Sequence, residues 1–154
     1  MQFVANLSQF SSPFVANNLY FSKSVQQTQP SREGVRSVLV IDDYPDIALM
    51  IVALLKRSGY EAVAVFSAKE ALDVINQKKF DLVISDIGMP LMDGYELARR
   101  LRSNKDYVST PMIAITGFSE YADQQNAFNA GFDAHLQKPI DLTKLLKVMG
   151  LLGS

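Results

Sequence analysis

The stretch DLVISDIGMP, from Asp81 to Pro90, decides how this chain is read. Its apolar run, Leu82-Val83-Ile84, is too short for a helix and lacks the alternation of a strand with one wet face. It fits a strand covered on both sides. The run carries Asp86 out of the core, and a proline-punctuated stretch follows at once. A carboxylate at a strand end can be no more than a turn residue. It acquires chemical meaning if other strands deliver acids or cations to the same edge.

Working outward, the same grammar repeats. Val38–Ile41 is a short apolar run that ends in Asp42-Asp43. Pro45 suits a first helical turn. Ile47, Met50, Ile51, Leu54 and Leu55 then recur at helical spacing, and Gly59 supplies a stop. Glu61–Phe66 reads as the next strand. Ser67-Ala68-Lys69-Glu70 is a capping-box pattern opening a second helix with Leu72 and Ile75 inward. Leu82–Ser85 is the third strand, and Asp93-Gly94-Tyr95-Glu96 can cap a third helix through Arg102. Met112–Ile115 is the fourth strand, Ser119–Ala130 a helix ended by Gly131, and Ala134–Gln137 a fifth strand. Asp141 can cap a last helix to about Met149. Five strands alternating with five helices predict a parallel sheet with right-handed crossovers and helices on both faces.

Composition sets outer limits. The 154 residues are 48% apolar and 20% charged, with a net charge of −1. That is a globular composition with no global field favouring nucleic acid or an anionic membrane. No run approaches the ~18 apolar residues of a membrane span. The absence of cysteine excludes a disulfide framework, a thiolate metal site and a cysteine nucleophile. Residues 1–35 differ from the rest. Through Ser31 they carry one charge, Lys23, and FVAN occurs twice, at Phe3–Asn6 and Phe14–Asn17. Phe3, Leu7, Phe10 and Phe14 share a helical face that Pro13 interrupts. The basic n-region and long apolar core of a secretory signal are missing. This part reads as an arm, either a flexible tail, a packing arm or a partner-binding segment. Gln26–Gly34 is its linker, and the folded unit spans 36–154.

In open parallel sheets, ligands sit beyond the carboxyl ends of the strands. Those ends carry Asp42-Asp43, Asp86, Thr116-Gly117 and Lys138-Pro139. Three carboxylates at close range repel one another. Lys138 offsets one charge, and a hard divalent cation, Mg2+ or Mn2+, suits an all-oxygen set. A carboxylate beside a metal, a hydroxyl and an ammonium is equipped for phosphoryl transfer.

The segments VLVIDDYPD, DLVISDIGMPLMDGYEL, PMIAITG and AGFDAHLQKPID resemble, in order and spacing, the response-regulator receiver domain of two-component signalling. The resemblance covers about Arg36 to Leu152. It implies a flavodoxin-like, doubly wound, five-stranded α/β sheet of order 2-1-3-4-5. It implies that Asp86 accepts a phosphoryl group from a phosphohistidine on a histidine kinase or histidine phosphotransfer protein. Asp43 matches the direct metal ligand, Asp42 the acid that holds metal through water, and the Gly88 carbonyl the backbone ligand. Thr116 matches the switch hydroxyl and Lys138 the lysine that offsets phosphoryl charge. The N–H groups of Ile87 and Gly117 are suited as further donors, and Pro139 matches a cis proline. His135 stands where the family most often has Tyr or Phe, and Tyr44 where an acid or amide is common. A histidine there can rotate between outward and inward states, or it can be a half-exposed sheet-edge residue without a switching role. The resemblance also implies cytoplasmic signalling by contact with a downstream target protein. The face that changes is the fourth helix, fifth strand and fifth helix, from Ser119 to about Met149. With no recognisable output domain after the last helix, the chain reads as a stand-alone receiver or one cut from a hybrid kinase.

Three alternatives share parts of this chemistry. A metal-dependent phosphatase with an aspartyl nucleophile usually carries a second acid two residues on, where this chain has Gly88. A flavin-binding module wants an anion nest, not an acidic edge. A pseudo-receiver would bind partners without phosphorylation.

Overall fold

The computed structural model of the protein describes residues 19–21, 34–117 and 121–153. Its elements are β1 (Leu19–Phe21), β2 (Ser37–Ile41), α1 (Pro45–Arg57), β3 (Glu61–Val65), α2 (Ala68–Ile75), β4 (Leu82–Asp86), α3 (Gly94–Ser103), β5 (Met112–Thr116), α4 (Tyr121–Ala130), β6 (Ala134–Gln137) and α5 (Leu142–Leu152). From β2 onward the five strands are all parallel, in the spatial order β3-β2-β4-β5-β6. Counted from β2, this is the order 2-1-3-4-5 expected from the sequence. The sixth strand is the difference. β1 lies within the arm and pairs antiparallel with β6. Its three residues are too few to show the periodicity by which a strand is read from sequence.

Strand alternation divides the core into two layers. Val38, Val40, Leu82, Ile84, Ile113 and Ile115 face α1 and α5, meeting Ala48, Ile51, Leu55, Leu145, Val148 and Met149. Leu39, Ile41, Val83, Met112 and Ala114 face α2, α3 and α4, meeting Ala68, Ala71, Leu97, Leu101 and Ala127. Burying each large aliphatic side chain contributes roughly 1.5–3 kcal/mol. Two-sided burial explains why the strands read as unbroken apolar runs. Met50 departs from expectation: it is exposed, and Ala48 and Val52 take the inward positions instead. The buried stripe of α1 follows 48, 51, 52 and 55, so Met50 falls on its outer flank.

The helix ends use the chemistry their sequences offer. Ser67 Oγ accepts from Glu70 N at 3.1 Å, and Glu70 Oε2 reaches back to Phe66 N at 3.0 Å. Asp93 Oδ1 accepts from Glu96 N at 2.9 Å. Asp141 Oδ1 accepts from Thr143 N and Lys144 N at 2.9 and 3.1 Å. Each cap satisfies donors the helix cannot pair itself. The α5 helix runs to Leu152, one turn beyond expectation, and buries that leucine in the α1–α5 layer. The start expected for the fourth helix, Ser119, lies outside the described residues, and α4 begins at Tyr121. Among the described residues no helix is long and apolar enough to cross a membrane.

Candidate functional site

Parallel register brings the strand ends together. Ile41 pairs with Ser85, Asp86 with Ile115 and Thr116 with Gln137. Asp42, Asp86, Thr116 and Lys138 therefore leave the sheet at one edge, as expected. Asp42, Asp43 and Asp86 each offer a carboxylate oxygen, and these atoms lie within 4.8 Å of one another. Asp42 and Asp86 are almost wholly buried, 2% and 4% exposed. Lys138 Nζ stands 3.4 Å from both Asp42 Oδ2 and Asp86 Oδ2, bridging the two acids. Its peptide bond to Pro139 is cis, as the resemblance implies, and its own N–H donates to Thr116 O at 2.8 Å. Thr116 is buried at the same edge.

The electrostatics are unbalanced. Burial, and then the charge of Asp42, push the Asp86 carboxyl up to about 6, against the opposing pull of Lys138 and of the Ile87 backbone. Asp43 Oδ1 is buried and has no hydrogen-bond partner. An orphaned, buried carboxylate oxygen beside two other acids fits an oxygen-ligated divalent cation. The residues present thus suit Mg2+ or Mn2+ by donor type and by unmet charge.

The loop Ile87–Asp93 forms the rim. Gly94 N donates to Ile87 O at 2.8 Å. A Cβ on Gly94 would collide with Asp86 O, and would lie 2.8 Å from Ile87 Cα. Only glycine lets α3 start this close to the strand that carries Asp86. Sequence reading had Gly94 only within a helix cap. The available signal was a glycine one residue after a capping aspartate, at a distance from Asp86 that a tight return loop can span. Leu91 was also missed: it is fully exposed at the rim with φ of 68°, a conformation rare for a branched side chain. Gly88 is exposed two residues after Asp86, and Gly117 faces open space. The Ile87 N–H donates to Ile115 O at 3.1 Å, and the same backbone group pulls on the Asp86 carboxyl.

Tyr44 stands 62% exposed beside the acids. Its N–H donates to Asp42 Oδ1 at 2.9 Å, and Lys138 Nζ lies 6.0 Å from its ring centre. His135 is not the half-exposed edge residue that sequence reading allowed for. It is 1% exposed, one strand inward from the sheet's margin because β1 covers the edge. Burial lowers its pKa, with Asp123 pulling the other way.

A doubly wound sheet that gathers three acids and a lysine at its carboxyl edge defines a class of phospho-accepting signalling modules. Comparison with known proteins reaches the same class. Residues 38–149 match the response regulator receiver domain. A 14.6 kDa uncharacterized protein of Leptolyngbya boryana is 35% identical over 112 residues, covering 73% of this chain and 86% of that one. The chemotaxis protein CheY4 of Vibrio cholerae superposes with a TM-score of 0.72 at 31% identity, over 75% of this chain and 97% of its own. The receiver domain of the sensor histidine kinase PA1611 of Pseudomonas aeruginosa superposes with a TM-score of 0.71 at 26% identity, over 78% and 99%. Other curated relatives are much longer: the chain spans 49% of one and 13% and 12% of two more. The chain belongs to the response regulator receiver family, the phospho-aspartate switches of two-component signalling.

Proposed function

We propose that residues 36–154 form a receiver in which Asp86 accepts a phosphoryl group from a phosphohistidine on a histidine kinase or histidine phosphotransfer protein. The observation that carries this reading is the pairing of Lys138 Nζ, 3.4 Å from both Asp42 and Asp86, with an Asp43 oxygen left unpartnered. Asp42, Asp43, Asp86 and the Gly88 carbonyl would hold Mg2+, or Mn2+ in its place. The PA1611 receiver, whose structure has magnesium coordinated in the active site cleft, supports that assignment. The bound ion would supply charge for the carboxylates and for phosphoryl oxygens. An Asp86 carboxylate oxygen attacks phosphorus, the P–N bond of the donor breaks, and the imidazole leaves with the bonding pair and takes a proton. Lys138 then neutralises charge on the acyl phosphate. Thr116 and the N–H groups of Ile87 and Gly117 donate to its oxygens.

The modified aspartate gains charge and acceptor oxygens. Movement of Thr116 toward them opens space behind it, into which the His135 ring shifts. A differential stabilisation of a few kcal/mol suffices to exchange the dominant state. The readout is protein contact through α4, β6 and α5, in the cytoplasm, where such kinases present their phosphohistidine. Water attack on the acyl phosphate resets the switch.

Incubation with acetyl phosphate and Mg2+ should add one phosphoryl group to the wild type, read by intact mass. Asp86→Asn should show at least ~100-fold less labelling. Equal labelling of the two proteins would falsify the assignment.

A further inference from the structure

The segment Leu19–Phe21 lies outside the receiver motifs, yet it forms β1. Leu19 stands opposite Leu136, Tyr20 opposite His135 and Phe21 opposite Ala134. On its other side β6 pairs with β5. Without β1, β6 would be the sheet margin, with a row of unpaired N–H and C=O groups on which an extended segment can template.

Three observations bear on what occupies that edge. The first is chain direction. Because β1 is antiparallel, Phe21 lies at the amino end of the parallel strands, where Ser37 also begins β2. Four strand spacings separate β1 from β2 in the sheet order, roughly 19 Å. Residues 22–33, fully extended, reach roughly 40 Å. One chain can therefore supply both strands. The second is composition. Leu19-Tyr20-Phe21 has no charge and no proline, so it lacks the features that keep a segment off a sheet edge. The third is position. The central pair of β1 and β6 falls on His135, whose backbone also stands opposite Ala114 of β5. Both ring nitrogens of His135 lack a hydrogen-bond partner, so packing alone holds the ring, while strands flank its backbone on both sides.

We propose that the outer edge of β6 is a strand-docking surface whose resting occupant is the chain's own Leu19–Phe21, and that phosphorylation of Asp86 releases it. The release rests on the function proposed above; the docking does not. At three residues β1 is the shortest strand of the sheet, and the shortest pairing is the first to open. The shift proposed for Thr116 and His135 acts on β5 and β6, directly beneath the pair centred on Tyr20. In the unmodified protein the arm seals one margin of the face through which the receiver signals. In the modified protein that margin is open.

The test is hydrogen exchange on the full chain, followed by mass spectrometry of peptides covering Ala134–Gln137. Tyr20→Pro removes a ladder donor and cannot pair at the centre of β1. The β6 amides of unmodified wild type should exchange at least ~10-fold more slowly than those of Tyr20→Pro. Acetyl phosphate with Mg2+ should abolish most of that difference, with the modification of Asp86 confirmed by intact mass. Because the chain has no cysteine, a second measurement is available. Leu19→Cys combined with Leu136→Cys should form an intramolecular disulfide under mild oxidation. Equal exchange in wild type and Tyr20→Pro, together with no cross-link, would overturn the docking. A cross-link or protection that appears only between two copies would overturn the assignment to the same chain. Unchanged protection in protein modified at Asp86 would overturn the release. Absence of any modification at Asp86 would sink the proposed function and the release with it, leaving the docking to be decided by the other two measurements.

Discussion

Two buried carboxylate–cation groups stand at opposite ends of the parallel strands, and they differ in charge balance and in the closeness of their contacts. At the amino end, just before β6, Asp133 Oδ2 accepts from Arg102 Nη2 at 2.8 Å and from Met112 N at 2.9 Å. Arg102 also donates to the carbonyls of Gly131 (3.0 and 2.8 Å), Tyr107 (2.9 Å), Val108 (3.2 Å) and Thr110 (2.7 Å). One guanidinium thus ties α3, the loop before β5 and the end of α4 together, and its donors are used. At the carboxyl end, three acids share one ammonium, which stands 3.4 Å from Asp42 and from Asp86. The first group pairs one acid with one guanidinium at 2.8 Å and supports the fold. The second keeps unmet charge, which gives it capacity for a cation and a phosphoryl group. Distance and charge balance, rather than the presence of buried charge, separate the two.

The comparison breaks most sharply at Arg102. Arg102→Ala should cost about 2–3 kcal/mol in urea denaturation, since it strands Asp133 and several carbonyls, while Asp86 in the folded protein labels as before. Lost labelling at unchanged stability would mean that the clamp belongs to the site. A smaller effect probes the open end. Mg2+ at ten times its dissociation constant should stabilise wild type and Arg102→Ala alike by about 1.4 kcal/mol. Asp43→Asn should lose most of that gain, and a thermal shift as large as wild type would remove Asp43 from the ligand set.

The smallest effects are in pH, measured in metal-free protein with EDTA. Asp86 has a folded pKa of about 6 against 3.8. The folded state therefore holds its proton more tightly, and stability falls as pH rises from 3.8 through 6. Asp86→Asn should be more stable than wild type at pH 7–8, on the order of 1 kcal/mol after allowing for solvent screening. That advantage should vanish near pH 4. His135 has the opposite sign. Its pKa is lowered by burial, so the unfolded chain takes up the proton first and stability falls as pH drops below 6.5. His135→Phe should flatten that limb of the profile. Flat profiles between pH 4 and 8 in both His135→Phe and Asp86→Asn would show that neither group is perturbed.

Much of this was legible in the residues. The apolar runs of β2, β4 and β5 are visible because both sheet faces are covered, and the caps at Ser67, Asp93 and Asp141 because a short polar side chain has a fixed local reach. The strand-end acids could be named because parallel strands bring all carboxyl ends to one edge. The inward stripe of α1 was less legible, because Met50 and Ala48 both fit a helical period and only the rotation of the helix on the sheet chooses between them. Gly94 was read as part of a cap, since its close approach to Asp86 O involves a backbone eight residues away in a folded loop. The bond from Ile87 N to Ile115 O was not legible, because it depends on the register of two strands.

By itself the sequence determined the alternating architecture, the order of chemistry along it and the identity of the acids, the hydroxyl and the lysine, because these follow from local periodicity and residue type. Only the tertiary structure decided that Lys138 bridges Asp42 and Asp86, that Asp43 keeps an unpartnered oxygen, that Arg102 closes a second charge pair, and that a three-residue strand of the arm lies opposite His135. Such facts depend on which distant segments meet and at what distance. That is set by packing and register over the whole chain, which no local window contains.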